Sequence, residues 1–532
     1  MTRRIICAAL LTVMLILAAS CGAAPDHPFM DDIPLIIPSI PAGETFIFQN
    51  NEYSIIVNTE SMLPYHFFNY MEGLFQVCYD AGNHFDHGHG CLNVGFTDTY
   101  GNVIIPLEYR LGWHDELHSD GLVLLVSHDF RYGYADASGE FVIPVQFMHV
   151  SGFNEDGLLI AGKIFDDGSH GYGIINREGE TVLPFEYEFL TNLSGDAVVV
   201  AEFGSFTTRY GLMDIRGEII IPVQYEFMHI DINEGLVHVQ TGGHPAFDYP
   251  DRKHGVYDIA GNVVIPAELD YAFVSNFFDG LASVTQMTGD HVVISAERGF
   301  TQPVLIYGYI DKTGALAIPM DFNLANHFAD GLALVGVYED ISKGDAMLYG
   351  FIDTRGNAAV PVIYADAREF SEGLAAVGIK TAAGIKYGYV NRRGETVIPF
   401  EFDAAELFGG GFAWVRINGM WGMIDSAGNA VIPPIYQSYS KVSDGLAAVK
   451  SRNLWELTDF SGNVAVQYSF ESLHIFSHGL AIVRKDGKFG LINTSGEIVV
   501  PLVYDEIQRF DDFIIVRENG LRGIWRIVPS EE

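Results

Sequence analysis

The chain has 532 residues, of which 68 are acidic and 30 are basic, so its net charge is −38 with neutral histidines. A surface of that sign repels phosphate backbones, and no basic patch interrupts it, which argues against nucleic acid as a partner. The length is ample for a large apolar core.

The first twenty residues are typical of an export signal. Arg3 and Arg4 precede an apolar run at 5–19, which is too short for a stable membrane span. Small residues at 18–20 stand directly before Cys21. This arrangement resembles the lipobox of bacterial lipoproteins, in which the cysteine takes a diacylglycerol. We expect lipidation of Cys21; the alternative is an ordinary signal peptide with an accidental cysteine.

Residues 21–46 are rich in Pro and small side chains and show no helical or strand period. This composition is typical of a tether that holds a folded part off the membrane. No later stretch has the roughly eighteen uninterrupted apolar residues of a membrane-spanning helix. We therefore expect any membrane attachment to come from the lipid.

Cys78 and Cys91 flank one loop, and in an exported protein a disulfide between them is the first expectation. The alternative is a zinc or copper site in the same loop, although its spacing matches no structural zinc module. The candidate ligands are His84, Asp86, His87 and His89.

A thirteen-residue phrase recurs along the body of the chain, as in YGFIDTRGNAAVP at 349–361. Its copies occupy 94–106, 132–144, 172–184, 210–222, 254–266, 307–319, 349–361, 387–399, 421–433, 455–467 and 489–501. Self-similarity at a spacing of 34 to 53 residues indicates a repeat architecture, in which each unit buries its apolar surface against its neighbours.

Each phrase reads as two antiparallel strands joined by a tight turn. In the copy at 349–361, Asp353 begins the turn and Gly356 closes it, which predicts a type I turn with a glycine bulge. Every copy has Asp or Asn at the first position and Gly three residues later, so we interpret these carboxylates as structural. We call the two strands the aromatic-Gly strand and the Pro strand. Because Pro cannot donate to a ladder, the second strand is predicted to end at Pro361 and its equivalents.

An aromatic residue usually follows three positions after the Pro, then a connector, and then a strand that opens with an acidic-Gly-Leu step, as at 330–332. We call this the Gly-Leu strand. Each unit is thus a three-stranded meander, with a short fourth strand in the connector left open. No stretch of the body shows the 3.6-residue apolar period of a helix.

Consecutive apolar residues in the Pro strand, such as 219–221, indicate that both faces of each sheet are covered. The fold class is therefore all-β, with units stacked as one or two β-propeller-like arrays, or alternatively as an open superhelical β-solenoid. Because eleven units exceed the usual four to eight blades, two arrays divided near 285–306 are one reading. An extra leading strand at 522–525 could pair with the first unit and close a ring. The Gly beside each leading aromatic is predicted to leave a gap that a ring from a neighbouring unit covers.

Length varies mainly at one corner of the unit, between the Gly-Leu strand and the next aromatic-Gly strand. The separation is 7 residues from Val415 to Gly422 and 24 from Val284 to Gly308. In a stacked array the long loops would gather on one face. These loops are 240–253, 285–306 and 337–348, and their candidate ligand contacts are Phe247, Tyr249, Asp251, Tyr338 and Asp340. Neutral drift of loop length is the alternative.

The phrase, followed later by Asp-Gly-Leu-Ala, resembles the WG-repeat (KWG-repeat) family of bacterial proteins. The resemblance covers residues 73 to 525, although Tyr usually replaces the Trp, and only 421–422 keeps both letters. It implies a β-rich repeat scaffold on exported or surface-attached proteins, with interaction roles. It carries over no catalytic residues and no cofactor.

No phosphate-binding loop, HExxH, nucleophile elbow or catalytic Cys/His spacing is visible. We therefore expect a lipid-anchored, non-enzymatic binding protein in the bacterial cell envelope, outside the cytoplasm, with a protein, peptide or glycan ligand. One alternative is a propeller-type glycan hydrolase that uses paired carboxylates. Another is a structural envelope protein without a discrete ligand.

Overall fold

The structure is a computed structural model, and its description covers most of the chain after residue 43. The described residues are 44–49, 53–58, 65–71, 73–79, 93–110, 118–119, 121–204, 207–242, 252–295, 300–339, 347–443, 446–460, 463, 469–474, 479–510, 513–518 and 521–529. The predicted export signal, Cys21 and nearly all of the tether lie outside them. Phe46–Glu532 forms one compact unit, and Met1–Thr45 is assigned to another.

The described residues form twelve small sheets of β-strands and no helix, which confirms the all-β fold class. The chain opens with β1 (Glu44–Gln49) and β2 (Tyr53–Asn58). Sheet 1 contains β3 (Tyr65–Met71), β4 (Leu74–Tyr79), β5 (Val94–Thr97) and β6 (Val103–Tyr109). Sheet 2 contains β7 (His118–Ser119), β8 (Leu122–Val126), β9 (Tyr132–Asp136) and β10 (Phe141–Phe147). Sheet 3 contains β11 (His149–Val150), β12 (Leu158–Ile164), β13 (His170–Asn176) and β14 (Thr181–Tyr187). Sheet 4 contains β15 (Phe189–Ser194), β16 (Ala197–Phe203), β17 (Thr208–Asp214) and β18 (Ile219–Tyr225).

The series continues in the same order through the second half of the chain. Sheet 5 contains β19 (Phe227–Asp231), β20 (Leu236–Thr241), β21 (Lys253–Asp258) and β22 (Val263–Leu269). Sheet 6 contains β23 (Phe273–Phe278), β24 (Leu281–Ser295), β25 (Phe300–Asp311) and β26 (Leu316–Phe322). Sheet 7 contains β27 (Leu324–Ala325), β28 (Leu332–Tyr338), β29 (Met347–Asp353) and β30 (Ala358–Tyr364). Sheet 8 contains β31 (Asp366–Ala367), β32 (Leu374–Thr381), β33 (Gly384–Asn391) and β34 (Thr396–Phe402).

The last four sheets depart slightly from the common plan. Sheet 9 contains β35 (Ala404–Ala405), β36 (Phe412–Ile417), β37 (Met420–Asp425) and β38 (Ala430–Tyr436). Sheet 10 contains β39 (Ser438–Ser443), β40 (Leu446–Ser451) and β41 (Leu454–Asp459). Sheet 11 contains β42 (Ser472–Leu473), β43 (Leu480–Lys485), β44 (Lys488–Asn493) and β45 (Ile498–Tyr504). Sheet 12 joins β46 (Glu506–Phe510), β47 (Phe513–Glu518) and β48 (Leu521–Pro529) to β2 and β1.

The short fourth strand that the sequence left open is present, and it comes first in each unit. We call it the connector strand. In eight of the twelve described sheets it follows the preceding Pro strand after a single residue, as at Ala365 between β30 and β31. That residue still hydrogen-bonds into the next sheet, because the Ala365 amide donates to the carbonyl of Gly378 at 2.8 Å. In these sheets the chain therefore enters through a bend, without a loop.

The Pro strand does not end at Pro, so that prediction is wrong. β30 runs through Pro361 to Tyr364, and its register to β29 shifts between the pairs Tyr349–Tyr364 and Phe351–Val360. The Pro lies in this bulge on the edge of the sheet, where no ladder partner needs its missing N–H.

The bulge also explains the Gly of each aromatic-Gly pair. A Cβ added at Gly350 would lie 2.6 Å from the Pro361 carbonyl oxygen, and one at Gly388 would lie 2.6 Å from the Ile398 carbonyl oxygen. The space beside this Gly is filled by the backbone of the adjacent Pro strand. The predicted cover by a ring from a neighbouring unit is therefore wrong.

The predicted turn chemistry is confirmed. The Asp353 amide donates to the Asn357 carbonyl at 2.9 Å, and Gly356 has a φ of +81°. The Asp353 carboxylate accepts hydrogen bonds from the amides of Arg355 and Asn357. These carboxylates hold the turn, as the sequence predicted.

Both faces of each sheet are covered, although the strand that shows it is not the predicted one. Ile219 and Ile221 of the Pro strand oppose the adjacent residues Met213 and Leu212 across a bulge and so face opposite sides of the sheet. Ile219 is exposed and Ile221 is buried, so this edge strand is covered on one side only. The strands buried on both faces are the two central ones, such as the Gly-Leu strand β16, whose first five residues are all buried.

Within the described residues, twelve apolar clusters lie between the twelve sheets, and each draws its side chains from two consecutive sheets. The twelfth joins the last sheet to the first, with Phe513 and Ile524 against Phe75 and Val77. Sheet 6, which carries residues 285–306, has a cluster on each face, so the series of packed sheets continues through that point. The sheets thus form one propeller-like ring.

The extra leading strand takes part in ring closure, but with a different partner from the one expected. It lies in β48, which pairs antiparallel with β2, with Val57 opposite Trp525. The expected partner was the first repeat unit, which is sheet 1. Because β2 precedes all copies of the phrase, one sheet combines strands from both ends of the compact unit and locks the ring.

We predict that Gly388→Ala destabilises the protein by about 1–3 kcal/mol, because the new Cβ clashes with backbone that cannot rotate away. Urea unfolding measures the change. Gly409→Ala is the matched control, since a Cβ there meets no atom within 4 Å. Equal stability of the two variants would contradict the assigned role of the Gly.

Candidate functional site

The hairpins between Gly-Leu and aromatic-Gly strands are the variable part of the ring. In sheets 9 and 11 they are two-residue turns, for example Asn418-Gly419, with φ of +51° and +78° as in a type I′ turn. In sheet 5 the Gly-Leu strand ends at Thr241 and the aromatic-Gly strand begins at Lys253. In sheet 7 the corresponding residues are Tyr338 and Met347. In sheet 6 the strands themselves lengthen to 15 and 12 residues. Long hairpins therefore adjoin one another on sheets 5, 6 and 7.

The residue at several bends caps the hairpin of the following sheet, whereas Met148 and Ala365 have no side-chain oxygen for this role. The Glu188 carboxylate accepts a hydrogen bond from the Phe203 amide at 2.7 Å, and the Glu226 carboxylate accepts one from the Gly242 amide at 3.1 Å. The Asn323 side-chain oxygen accepts one from the Tyr338 amide at 3.0 Å. Bends and hairpin bases therefore share one end of the sheets, and the variable hairpins project from that end.

The first residue of the connector strand differs systematically around the ring. From sheet 3 to sheet 12 it is His149, Phe189, Phe227, Phe273, Leu324, Asp366, Ala404, Ser438, Ser472 and Glu506. Aromatic rings thus occupy this position in four consecutive sheets, Leu324 follows in sheet 7, and small or polar residues occupy it from sheet 8 onward. Phe227 and Phe273 are 52% and 57% exposed, although burial would be favourable for both. We call the hairpins of sheets 5–7 together with Phe227 and Phe273 the variable surface.

A cleft of about 690 Å³ opens beside the first two of these aromatics. The buried side chains of Leu124 and Tyr134 contribute to its lining from sheet 2. Residues 149–154 line it from sheet 3 and residues 189–193 from sheet 4. Its volume is within the range of sites that hold small ligands.

Sheet 5 contains two buried histidines that no motif had indicated. His238 and His254 are each 9% exposed, and the Nε2 atom of each is buried without a hydrogen-bond partner among the described residues. Burial lowers the pKa of His238 to about 4, and the exposed His229, opposite it on β19, contributes in the same direction while Asp231 opposes it. Burial followed by the charge of Arg252 lowers the pKa of His254 to about 4, against a hydrogen bond to the backbone of Tyr271.

The predicted contact residues fall mainly outside the described part of the chain. Tyr338 is described, at the end of β28 and half-buried, with its amide capped by Asn323. The others of that set lie outside, namely Phe247, Tyr249, Asp251 and Asp340. The grouping of this set therefore stays a prediction.

Of the cysteine loop, only Cys78 is described. It is buried in β4 and is disulfide-bonded, while its predicted partner Cys91 lies outside the described residues, so the pairing stays a prediction. The alternative metal ligands also lie outside, namely His84, Asp86, His87 and His89. In the part of the chain that is described, no group of three or more His, Cys, Asp or Glu side chains is arranged to hold a metal ion.

The repeated turn carboxylates are already engaged. Hydrogen bonds from Asn357 hold the pKa of Asp353 below its usual range, and those from Asn429 do the same for Asp425. A carboxylate that stays ionised and is occupied by its own turn is poorly suited to act as a general acid. These residues stabilise the fold.

The family model for the WG containing repeat matches the chain ten times, at 132–163, 172–201, 210–243, 255–286, 307–337, 349–379, 387–421, 421–455, 461–489 and 489–521. Together these segments cover more than half of the chain, and the protein belongs to the WG-repeat family, as the sequence motifs predicted. No curated protein matches it significantly.

Several solved structures share a distant likeness. A eukaryotic initiation factor is 10% identical over 63% of this chain and 92% of its own, with a TM-score of 0.32. An uncharacterized protein of Listeria monocytogenes is 12% identical over 53% of this chain and 94% of its own, with a TM-score of 0.24. An extracellular domain from B. thetaiotaomicron is 11% identical over 88% of this chain and 76% of its own, with a TM-score of 0.19. Likenesses this weak carry no functional argument.

We predict that acid weakens this protein through His238 and His254. Because the folded-state pKa of each is about 4 against 6.5 for a free side chain, the unfolded chain binds more protons below pH 6.5. Stability is fully present above that pH and falls as the pH drops toward 4, by about 3 kcal/mol for each histidine. Urea unfolding at pH 7 and pH 4.5 measures the loss.

The repeat itself supplies the substitutes for a control. Leu334 and Tyr349 occupy the equivalent positions in sheet 7, so His238→Leu with His254→Tyr should flatten the pH dependence. His128→Leu, at an exposed turn position, should leave it unchanged. An undiminished acid loss in the double variant would refute this assignment.

Proposed function

We propose that this protein is a non-enzymatic binding scaffold, whose ring of sheets presents the variable surface to a protein, peptide or glycan ligand. The observation that carries the proposal is that long hairpins begin at the same end of the consecutive sheets 5, 6 and 7, beside exposed aromatic side chains. A constant scaffold with variable loops on one side is the usual arrangement of a binding site in repeat proteins. Exposed rings supply contact area at a low entropic cost.

The proposed location is the outer side of a bacterial membrane, with the chain attached through a lipid on Cys21. Support comes from the export-type segment and the small residues before Cys21. The strongly negative charge agrees with attachment by lipid, since anionic headgroups would repel the surface. No helix in the described part of the chain is long and apolar enough to cross a bilayer.

The non-enzymatic character is also part of the proposal. It is supported by the engagement of the repeated turn carboxylates in backbone hydrogen bonds, which removes the most regular acidic residues from consideration as catalysts. The glycan hydrolase alternative would require a free carboxylate pair at a defined separation. The structural envelope alternative would make the variable surface dispensable.

We predict that Phe273→Ser reduces capture of envelope partners by the full-length protein at least tenfold, because aromatic side chains are enriched at the cores of contact surfaces and a hot-spot residue there contributes about 2 kcal/mol or more to binding. Quantitative pull-down from envelope extract measures it. Ile435→Ser is the matched control, since Ile435 is equally exposed at 59% but lies on the Pro strand of sheet 9. Equal capture by both variants would favour the structural alternative.

Testing a panel of glycans for turnover distinguishes the binding proposal from the hydrolase alternative. We expect no product from any of them, because a binding scaffold lowers no chemical barrier. Turnover that is abolished by a single Asp→Asn or Glu→Gln substitution would replace the binding proposal with an enzymatic one.

A further inference from the structure

The cleft between sheets 2, 3 and 4 has a lining that contrasts with the rest of the protein. The chain carries 68 acidic and 30 basic residues, yet neither Asp, Glu, Lys nor Arg occurs among the residues that line the cleft. Its polar side chains are neutral hydroxyls and amides and the imidazole of His149. An anionic ligand would find no cation here, and a cationic ligand would find stronger partners elsewhere on the surface.

Two of these polar side chains are available for a ligand. Thr191 is half-buried and Asn192 is exposed, and neither side chain makes a hydrogen bond within the described residues. By contrast, Asn154 is fully engaged, because its side-chain oxygen accepts from the amides of Asp156 and Leu158 and its nitrogen donates to the Gly195 carbonyl. Thr191 and Asn192 together offer hydroxyl and amide groups that both donate and accept.

The backbone at this point is specialised as well. Asn192 has a φ of +50°, and the pairing of β15 with β16 shifts register between Thr191 and Ser194. Bulges of this kind redirect side chains and occur often beside binding sites. Asn adopts the left-handed region more readily than other non-glycine residues, so the bulge presents its amide at little cost.

Two aromatic rings line the same cleft as these polar groups. Phe153 packs on Tyr134 with ring centroids 5.2 Å apart, and Phe189 packs on Tyr172 at 5.1 Å. Both phenylalanines are half-buried, so each ring is fixed by its neighbour and still reaches the cleft. Fixed rings beside neutral donors and acceptors suit a ligand that has apolar ring faces and many hydroxyl groups.

We propose that this cleft binds a neutral oligosaccharide, with sugar rings against Phe153 and Phe189 and sugar hydroxyls hydrogen-bonded to Thr191 and Asn192. An extended peptide is disfavoured, because strand addition needs a continuous edge and β11 has only two residues while β15 is bulged. The inference deepens the proposed binding function but uses different residues from the variable surface, so either can fail without the other.

The test is calorimetric titration of the full-length protein with neutral, anionic and cationic oligosaccharides and with extended peptides. We expect binding of one or more neutral oligosaccharides only. Asn192→Gly, which keeps the left-handed backbone and removes the amide, should weaken binding at least fivefold, and Phe189→Ala at least tenfold. Phe141→Ala is the matched control, because Phe141 is likewise an exposed ring, lies on the Pro strand of sheet 2 outside the variable surface, and does not line the cleft.

Thermal unfolding of each variant shows whether it is folded. Should Phe189→Ala not fold, Asn192→Gly and Thr191→Val carry the test. The proposal is overturned by an absence of neutral-oligosaccharide binding, by preferential binding of charged sugars or peptides, or by equal losses in Phe141→Ala and the folded cleft variants. If Phe273→Ser loses partner capture while its saccharide binding is unchanged, the variable surface and the cleft act independently.

Discussion

Each sheet of this protein is apolar on both faces, so each face must be covered by another sheet. Three or four short strands cannot leave one broad apolar face in water, because burial of that surface is the main source of stability. Neighbouring sheets therefore cover one another all along the series, and only the first and last would remain uncovered. The cluster of Phe75 and Val77 with Phe513 and Ile524 removes both open ends together. Closure of the ring follows from this need for mutual cover.

The demand for close stacking also decides where the sequence is invariant from unit to unit. At one end of each sheet, the Asp-x-x-Gly turn is fixed by its own hydrogen bonds. Within the aromatic-Gly strand, the Gly is fixed by the bulge beside it. At the other end, the bend residue varies: Glu188, Asn323 and Asp403 accept a hydrogen bond from one hairpin amide, and Ala365 does without it. Length and composition can change beyond that hydrogen bond without disturbing any cluster, and the variable surface lies there.

The repeat phrase was sufficient to predict the turn at Asp353 and the corner at which insertions enter, because both depend on local residues. It was not sufficient for features set by neighbours. Pro361 was read as a strand end because an edge position cannot be recognised from one strand alone. The twelfth sheet was missed because its closing strand β2 contains no copy of the phrase. The connector strands that carry the aromatic row from His149 to Phe273 have only two to six residues, too few for a clear periodicity, so the row became visible only when strand pairing gave these residues one register. The cleft, built by three sheets, had no signal in sequence.

Residues that depart from the repeat pattern therefore say more about function than residues that follow it. His238 and His254 stand where sheet 7 has Leu334 and Tyr349, so polar atoms replace apolar ones inside the cluster of sheets 5 and 6. Burying an imidazole nitrogen without a partner costs free energy that a Leu or Tyr would not cost. Sheet 5 also carries Phe227 and one of the long hairpins, which places a locally weakened interface beneath the variable surface. Regions that bind ligands are commonly drawn from the less stable parts of a fold, since a binding surface must be able to adjust. The position of these two histidines thus agrees with the assignment of the variable surface to sheets 5–7, on grounds independent of hairpin length.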